Sequence, residues 1–287
     1  MRSRDGNRIA SHARLASLSP TFAWCELDFT AIDVERIRAA GFVCDVEVHS
    51  EIGSTNDRAA ERAEEATLRC PCLILTARQT AGRGRGANSW WSGPGALTFS
   101  VVLEPRRIGL ATESFPQVAL AAGLAVCEVI EQTLPGETAG LKWPNDVFLR
   151  GKKVSGILLE APQAGSDRLI AGIGLNVNNT LAAAPAELRQ TAVSMIDVAG
   201  QSLDRTEVLI GLLERLDMWL RALAFDRREV LSRWRPYCVL TGKRVRLKVG
   251  SRDVEGPCRG IDDEGRLLIA TAGGTEAHRS GTVVSFE

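Results

Sequence analysis

Two arginines set in a run of glycines carry the first chemical signal in this chain. Gln79, Thr80, Ala81, Gly82, Arg83, Gly84, Arg85 and Gly86 follow an apolar run at residues 72–77. Glycine opens backbone angles closed to other residues and lets main-chain N–H groups approach a ligand. Arginine adds permanent charge and a planar fork of donors that fits phosphate or carboxylate. A mobile, glycine-hinged loop with two guanidinium groups, hung from a buried strand, is suited to close over an anion. It is not the P-loop solution, because the lysine of G-x-x-x-x-G-K-[ST] is absent. A solvated basic turn and an arginine–glycine segment touching RNA stand as the alternatives.

Three further segments are chemically loaded. They are Ser54, Thr55 and Asn56; Lys142, Trp143, Pro144, Asn145 and Asp146 with Lys152 and Lys153; and the run from Gly172 through Gly174 to Asn176. Each has a structural reading as well. Ser54 fits a helix cap with Asp57 as its box partner. Lys153 follows a hairpin, where exposed lysines are common. Asp146 fits the turn after Pro144, Asn176 fits a strand end, and Trp90 and Trp91 fit a core.

The elements that must position these residues follow from periodicity. Residues 42–48 alternate loosely as a strand, and a helix opens at Ser54 and runs through Ala59, Ala60, Ala63 and Ala66. Residues 72–77 and 96–103 are β-prone, with the arginine loop between them. A helix over 115–134 carries the apolar stripe Val118, Ala122, Ala125, Val126 and Val129. Residues 140–149 read as one strand broken at Pro144 and resumed at Val147. Strands at 154–160 and 169–175 follow, with Arg150 and Gly151 as a tight hairpin turn. Asp204, with Glu207 as box partner, caps a long helix whose stripe includes Leu209, Leu212, Leu216 and Leu220. After Pro236 the texture changes. Residues 244–249 alternate cleanly, and turn signals at 262–265 and at Gly273 and Gly274 separate short strands. The expected fold is α+β: a mixed β-sheet flanked by helices, then a small C-terminal β-barrel.

Composition narrows the partners. The chain has 287 residues, 45% of them hydrophobic, so a sizeable core is available. Its 35 Lys and Arg balance 35 Asp and Glu, which weighs against holding nucleic acid by bulk charge. Seven cysteines (25, 44, 70, 72, 127, 238, 258) include no C-x-x-C pair, and His12, His49 and His278 are scattered, so no zinc site is expected. The odd cysteine count without a secretory signal indicates reduced thiols and a cytoplasmic protein. No apolar run is long enough to span a bilayer, so no membrane partner is expected. The start, with Arg2, Arg4, Arg8 and Arg14, reads as a disordered arm rather than a transit peptide. The expected domains are an arm over 1–45, a catalytic domain over 46–239 and the small β domain over 240–287.

Taken in order, the motifs resemble those of biotin protein ligases. They are Gly53 to Asn56, Gln79 to Arg85, Lys142 to Asp146, Lys153 to Glu160, Gly172 to Val177, and Gly256 to Gly265 in the tail. The resemblance runs from Val46 to the end and implies a class II synthetase-like catalytic domain. It also implies two steps. Biotin's carboxylate attacks the α-phosphate of ATP, giving biotinyl-5′-adenylate and pyrophosphate. A lysine of a biotin carboxyl carrier domain then attacks the anhydride and releases AMP. A carboxylate with a reference pKa near ~4 is already ionised at neutral pH, so the first step needs positioning and charge stabilisation rather than a base.

Residue roles follow from the same resemblance. Ser54, Thr55, Asn56 and Gln79 line the biotin ring site, with Gly82, Arg83, Gly84 and Arg85 closing over the substrate. Lys153 bridges the biotin carboxylate and the α-phosphate and is the key catalytic residue, with Arg85 and Asp146 also placed in catalysis. Arg83, Arg85, Trp90, Lys142, Asn145, Lys153 and Asn176 form the ATP and adenylate side. Asp146 and Asn176 help place Mg2+. One position departs from the family pattern. Many members carry a basic residue three places after the last matched arginine, where this chain has Asn88, so phosphate contacts are weaker here or another cation substitutes. Only about 45 residues precede the resemblance, with one short helix at 31–40, so the winged helix-turn-helix domain of some relatives, and with it DNA binding, is not expected. A homodimer is compatible with the resemblance. The rival readings are a lipoate–protein ligase and a non-catalytic adenylate-sensing protein.

Overall fold

The computed structural model describes residues 32–163 and 165–287. Most of the expected N-terminal arm lies outside the described residues. The short helix α1 (Val34–Ala39) is capped by Asp33, whose carboxylate accepts from the Arg36 N–H.

A seven-stranded sheet forms the body of the chain. Its strands are β1 (Asp45–Ile52), β2 (Cys72–Gln79), β3 (Leu97–Leu103), β4 (Ala139–Lys142), β5 (Asp146–Leu149), β6 (Lys152–Glu160) and β7 (Leu169–Leu175). They lie in the order β1-β2-β3-β7-β6-β5-β4. Only β1 and β2 pair parallel. Every residue of β3 and β7 is buried, as suits central strands covered on both faces, with Thr98 and Ser100 of β3 the polar exceptions to an apolar texture. The stretch 140–149 is not one strand interrupted. The chain reverses at Trp143, Pro144 and Asn145, and β4 and β5 run antiparallel with Lys142 opposite Asp146.

Helices cover the sheet unequally. On one face lies α2 (Thr55–Ala63), whose Ala59 and Ala63 pack with Ile74, Val102 and Ile170. On the other lies α3 (Phe115–Thr133), a helix buried around most of its circumference. Its buried set is wider than the expected stripe because a second helix packs on its outer side. With the turn before it, α3 is long and apolar enough by composition to cross a bilayer, contrary to expectation, yet 78% of its apolar 18-residue segment is buried inside the fold. The carboxylate of Glu128 within it accepts from Trp219, Arg215 and Arg233, as a buried charge must.

The short helices α4 (Ala186–Thr191) and α5 (Met195–Ala199) precede the long α6 (Arg205–Phe225) and α7 (Arg227–Trp234), which pack on α3. Asp204 caps α6 by accepting from the N–H groups of Thr206 and Glu207. Glu207 does not return the bond expected of a box partner; its carboxylate pairs with Arg36. Ser54 likewise sits at the N-cap of α2 but makes no side-chain capping bond.

The tail forms an antiparallel five-stranded sheet from β8 (Arg244–Val249), β9 (Arg252–Ile261), β10 (Leu267–Thr271), β11 (Gly274–His278) and β12 (Thr282–Phe286). Its order is β11-β10-β9-β8-β12, and the pairing is open between β11 and β12. It docks beside the edge of the large sheet. The Val239 N–H donates to the Leu141 carbonyl at 3.0 Å, and Trp143 Nε1 and Gln117 Nε2 donate to the carbonyls of Gly265 and Glu264.

Candidate active site

Sheet register builds a trough on the face that α2 covers. Thr98 lies opposite Gly174, Gly174 opposite Gly156, Gly156 opposite Asp146, and Asp146 opposite Lys142. Strand side chains alternate between faces, so this row presents two glycines on one side of the sheet. In the next row Gly172 sits between Ser100 and Leu158. The glycines make room rather than flexibility. A Cβ on Gly174 would fall 2.2 Å from the Trp90 ring, and one on Gly172 would fall 2.0 Å from Asn56 Oδ1. Above this floor is a cleft of about 180 Å³.

Lys153 reaches the trough through a register irregularity. Val147 pairs with Ser155 but Phe148 pairs with Lys153, so Val154 is an extra residue in β6. Such a bulge re-aims the residues beyond it. Strict alternation would give the face of Gly156 to Val154. Instead Val154 is buried in the core, and the Lys153 ammonium lies over Gly156, 3.2 Å from where its Cβ would be. Lys153 Nζ is 2.5 Å from Asp146 Oδ1 and 5.9 Å from the Trp90 ring centroid. The buried Trp90 Nε1 has no acceptor among the described residues, leaving it available to one from a ligand.

The opposite end of the cleft is polar and ordered by Gln79. Its Oε1 accepts from the Thr55 N–H at 2.7 Å and from Thr55 Oγ1 at 3.0 Å. With its oxygen committed, Gln79 can offer a ligand only its NH2 donors. Asn56 Nδ2 donates to Glu160 Oε2 at 2.8 Å, so its Oδ1 is the acceptor for the Ser100 hydroxyl at 2.6 Å. Ser54, Thr55 and Asn56 are each buried. Without a bond to spend on capping, the Ser54 hydroxyl lines the cleft.

The arginine loop is a folded flap. The Trp90 N–H donates to the Gly82 carbonyl, the Gly84 N–H donates to the Asn88 carbonyl, and Arg83 bridges Ser89. Gly86, with φ +67°, allows the reversal at its tip. The expected glycine hinge is thus a short paired ribbon. Its arginines point to opposite supports. Arg83 forks onto Glu160 with both contacts at 2.6 Å and also meets Asp57 at 2.7 Å. Arg85 Nη1 donates to the Gly281 carbonyl of the small sheet at 2.5 Å. Asn88 donates to the Arg85 carbonyl.

Among the described residues, four cationic side chains line the cleft, Arg83, Arg85, Lys142 and Lys153, against one carboxylate, Asp146. Arg83 is neutralised by its two acidic partners, which leaves three cations facing Asp146. Such a cleft concentrates anions. Lys142 Nζ sits between the Phe148 and Phe286 rings, at 5.9 and 5.8 Å from their centroids. Burial lowers its pKa, with Asp146 opposing and Lys153 reinforcing the shift. Native Lys142 therefore gives up its proton before the unfolded chain does. Between its native value and the ordinary 10.5, the unfolded state holds more protons, so this group's cost fades as pH rises. In Lys142→Met the cost is absent at every pH. We expect its melting temperature relative to wild type to be highest near neutral pH and to fall, in favour of wild type, toward pH 10.5. A gap that does not change with pH would contradict this.

Most residues singled out in the sequence meet here. Ser54, Thr55, Asn56, Gln79, Arg83, Gly84, Arg85, Trp90, Lys142, Asn145, Asp146 and Lys153 all line the cleft. Gly82 is part of the flap itself, where a Cβ would meet the Trp90 carbonyl at 2.4 Å. Asn176 is not among the lining residues. Its Nδ2 donates to the Val193 carbonyl and its Oδ1 accepts from Asn179, so its amide is already occupied. Sequence reasoning missed Ser100 and Glu160 as supports and Thr282 and Val283 as lining from the small sheet. Glu160 closed a recognised motif, which was the available signal; Ser100 gave none.

Two family models match the chain. The biotin/lipoate A/B protein ligase family matches residues 49–178, and the biotin protein ligase C terminal domain matches residues 240–284. The chain is 34% identical over 244 residues to a biotin--[acetyl-CoA-carboxylase] ligase of Mycobacterium tuberculosis, covering 83% of this chain and 88% of that protein. It is 34% identical over 241 residues to the bifunctional ligase/repressor BirA of Bacillus subtilis, covering 78% of this chain and 68% of that one. Among solved structures it is similar to a biotin protein ligase from Aquifex aeolicus in complex with biotin and ATP. The TM-score is 0.73 at 32% identity, over 85% of this chain and 99% of the other.

Proposed function

Because the chain belongs to the biotin protein ligase family and is a biotin ligase, we propose that it activates biotin as biotinyl-5′-adenylate and transfers it to a lysine of a biotin carboxyl carrier domain. The observation that carries the reading is the arrangement of the trough. A buried polar pocket lies at one end, the cations Arg85 and Lys142 lie at the other, and Lys153, paired with Asp146, stands over the floor between them.

The ring binds at the polar end. Gln79 NH2 and the hydroxyls of Ser54 and Thr55 meet the ureido group, and the chain of biotin runs along the trough past Trp90 toward Lys153. Its carboxylate then arrives beside Lys153. Attack of a carboxylate oxygen on the α-phosphorus forms the anhydride and expels pyrophosphate. Lys153, Arg85 and Lys142 hold the gathering negative charge, and Asp146 keeps the Lys153 ammonium aimed. Asn88 brings no charge to this set.

ATP implies a magnesium ion, which commonly takes one or two carboxylates together with substrate phosphates. Asp146 fits that demand as the one carboxylate lining the cleft among the described residues. Asn176 does not, since both ends of its amide are bonded elsewhere. The ion would neutralise charge across the phosphates. In the second step the acceptor amine, with a reference pKa near ~10.4, attacks as the free base at the anhydride carbonyl, and AMP leaves.

The test is pyrophosphate release with ATP and magnesium, with biotin and lipoate compared. Lipoate's dithiolane ring offers no partner to Ser54, Thr55 and Gln79, and buried groups left unpaired cost selectivity heavily. We expect biotin to be preferred by about a hundredfold or more. Equal or greater release with lipoate would move the substrate to the sister activity, and no release with either would leave an adenylate-binding protein without turnover.

A further inference from the structure

We propose that Glu160 is a positioning residue that holds the arginine flap down over the cleft and ties it to the ring pocket. The inference rests on the adenylate-forming reading above and assigns this carboxylate a task within it.

Glu160 ends β6 beside the polar end of the trough. Both of its oxygens are engaged by the flap: Oε1 accepts from Arg83 Nη1 and Oε2 from Arg83 Nη2, each at 2.6 Å. Paired fork contacts of this kind fix orientation as well as distance. Oε2 also accepts from Asn56 Nδ2 at 2.8 Å. One carboxylate oxygen therefore joins the flap to the first turn of α2, where Thr55 and Gln79 meet. Asp57, two residues after Thr55, takes Arg83 from the other side at 2.7 Å. Arg83 is thereby committed to two acids, and among the flap's arginines Arg85 is the one left to meet phosphate.

This arrangement has a chemical consequence. Biotinyl-adenylate is a mixed anhydride, and water can replace the lysine amine as the nucleophile at its carbonyl, giving biotin and AMP. A flap held shut keeps the intermediate until an acceptor arrives. When the clamp is weakened the intermediate escapes or is hydrolysed, and pyrophosphate continues to form without transfer. The ratio of pyrophosphate released to biotin transferred reads the clamp directly. A loss of folding alone lowers both quantities together and leaves the ratio in place.

The experiment measures that ratio with saturating carrier domain in wild type, Glu160→Gln, Arg83→Gln and the double variant. The expected wild-type ratio is near one. E160Q should raise it about fivefold or more, in line with loss of a charge-assisted pair. R83Q should do the same, and the double variant should add little to either, as for two ends of one contact. Asp57→Asn, at a more exposed position, should raise the ratio less and serves if E160Q folds poorly. An unchanged ratio in E160Q or D57N, or single effects that multiply in the double variant, would overturn the assignment. Wild-type protein that forms no pyrophosphate with biotin would instead sink the ligase reading on which it stands.

Discussion

Lys153→Ala is expected to lower biotin-dependent pyrophosphate release by about a thousandfold, the scale seen when a pre-organised charge donor is removed from a reaction centre. The ammonium stands over Gly156 between Asp146 and Trp90. Among the described residues no other cation shares that position: Arg85 is drawn toward Gly281, and Lys142 lies at the far side of Asp146, between two aromatic rings. The side chain is 36% exposed, so its removal should barely move the melting temperature. The loss should also fall on turnover more than on biotin binding, since the ring pocket is built from other residues. Isothermal titration with biotin alone, beside single-turnover pyrophosphate release, separates the two. Retention of more than a tenth of the wild-type rate would remove Lys153 from the chemistry.

Gly172→Ala should have the second largest effect, and on the other half of the site. The added methyl would stand 2.0 Å from Asn56 Oδ1 and 2.9 Å from its Cγ. Asn56 has nowhere cheap to go, because Ser100 and Glu160 hold its two ends at 2.6 and 2.8 Å. Forcing it aside breaks bonds at a position only 4% exposed and shifts the first turn of α2 with Thr55. Overpacking of this kind costs about 1–3 kcal/mol of stability. Apparent biotin affinity should fall by about tenfold or more, the equivalent of one ordinary contact or two, with the apparent ATP affinity little changed. Wild-type biotin affinity in G172A would show that Asn56 and its neighbours do not shape the ring pocket.

How far the site could be read in advance differs residue by residue. The polar trio at the start of α2, the arginine loop and the glycine pair of β7 were visible as motifs, because close approach of chain to ligand demands those residue types. Which face each residue takes was not visible. Alternation from Gly172 and Gly174 would put Asn176 on the trough, but β7 ends at Leu175. Asn176 then turns to pair its backbone with Val154 and Met195 and its amide with Val193. The reach of Arg85 to Gly281 spans 196 positions of sequence and ends on a main-chain carbonyl, so no side-chain pattern could announce it. Pro144 marked a break but not its sense. A turn and an interruption leave the same letters, and only pairing of Lys142 with Asp146 distinguishes them. Ser54 and Glu207 both satisfied a capping pattern that the chain does not use, since one hydroxyl faces the cleft and one carboxylate found Arg36 instead.

The extra residue in β6 bears on how the lineage of such a chain can lose its activity. Lys153 faces the trough because Val154 is one residue more than β5 can match. If the bulge were straightened with Val154 kept, regular alternation would put Val154 on the trough and turn Lys153 to the opposite side of the sheet, with every motif letter unchanged. Descendants could thus fall silent through a change in strand pairing alone, with no reactive group altered. Alignment columns that count matching residues would score such a chain as intact; the pairing of β6 with β5 is the character to inspect.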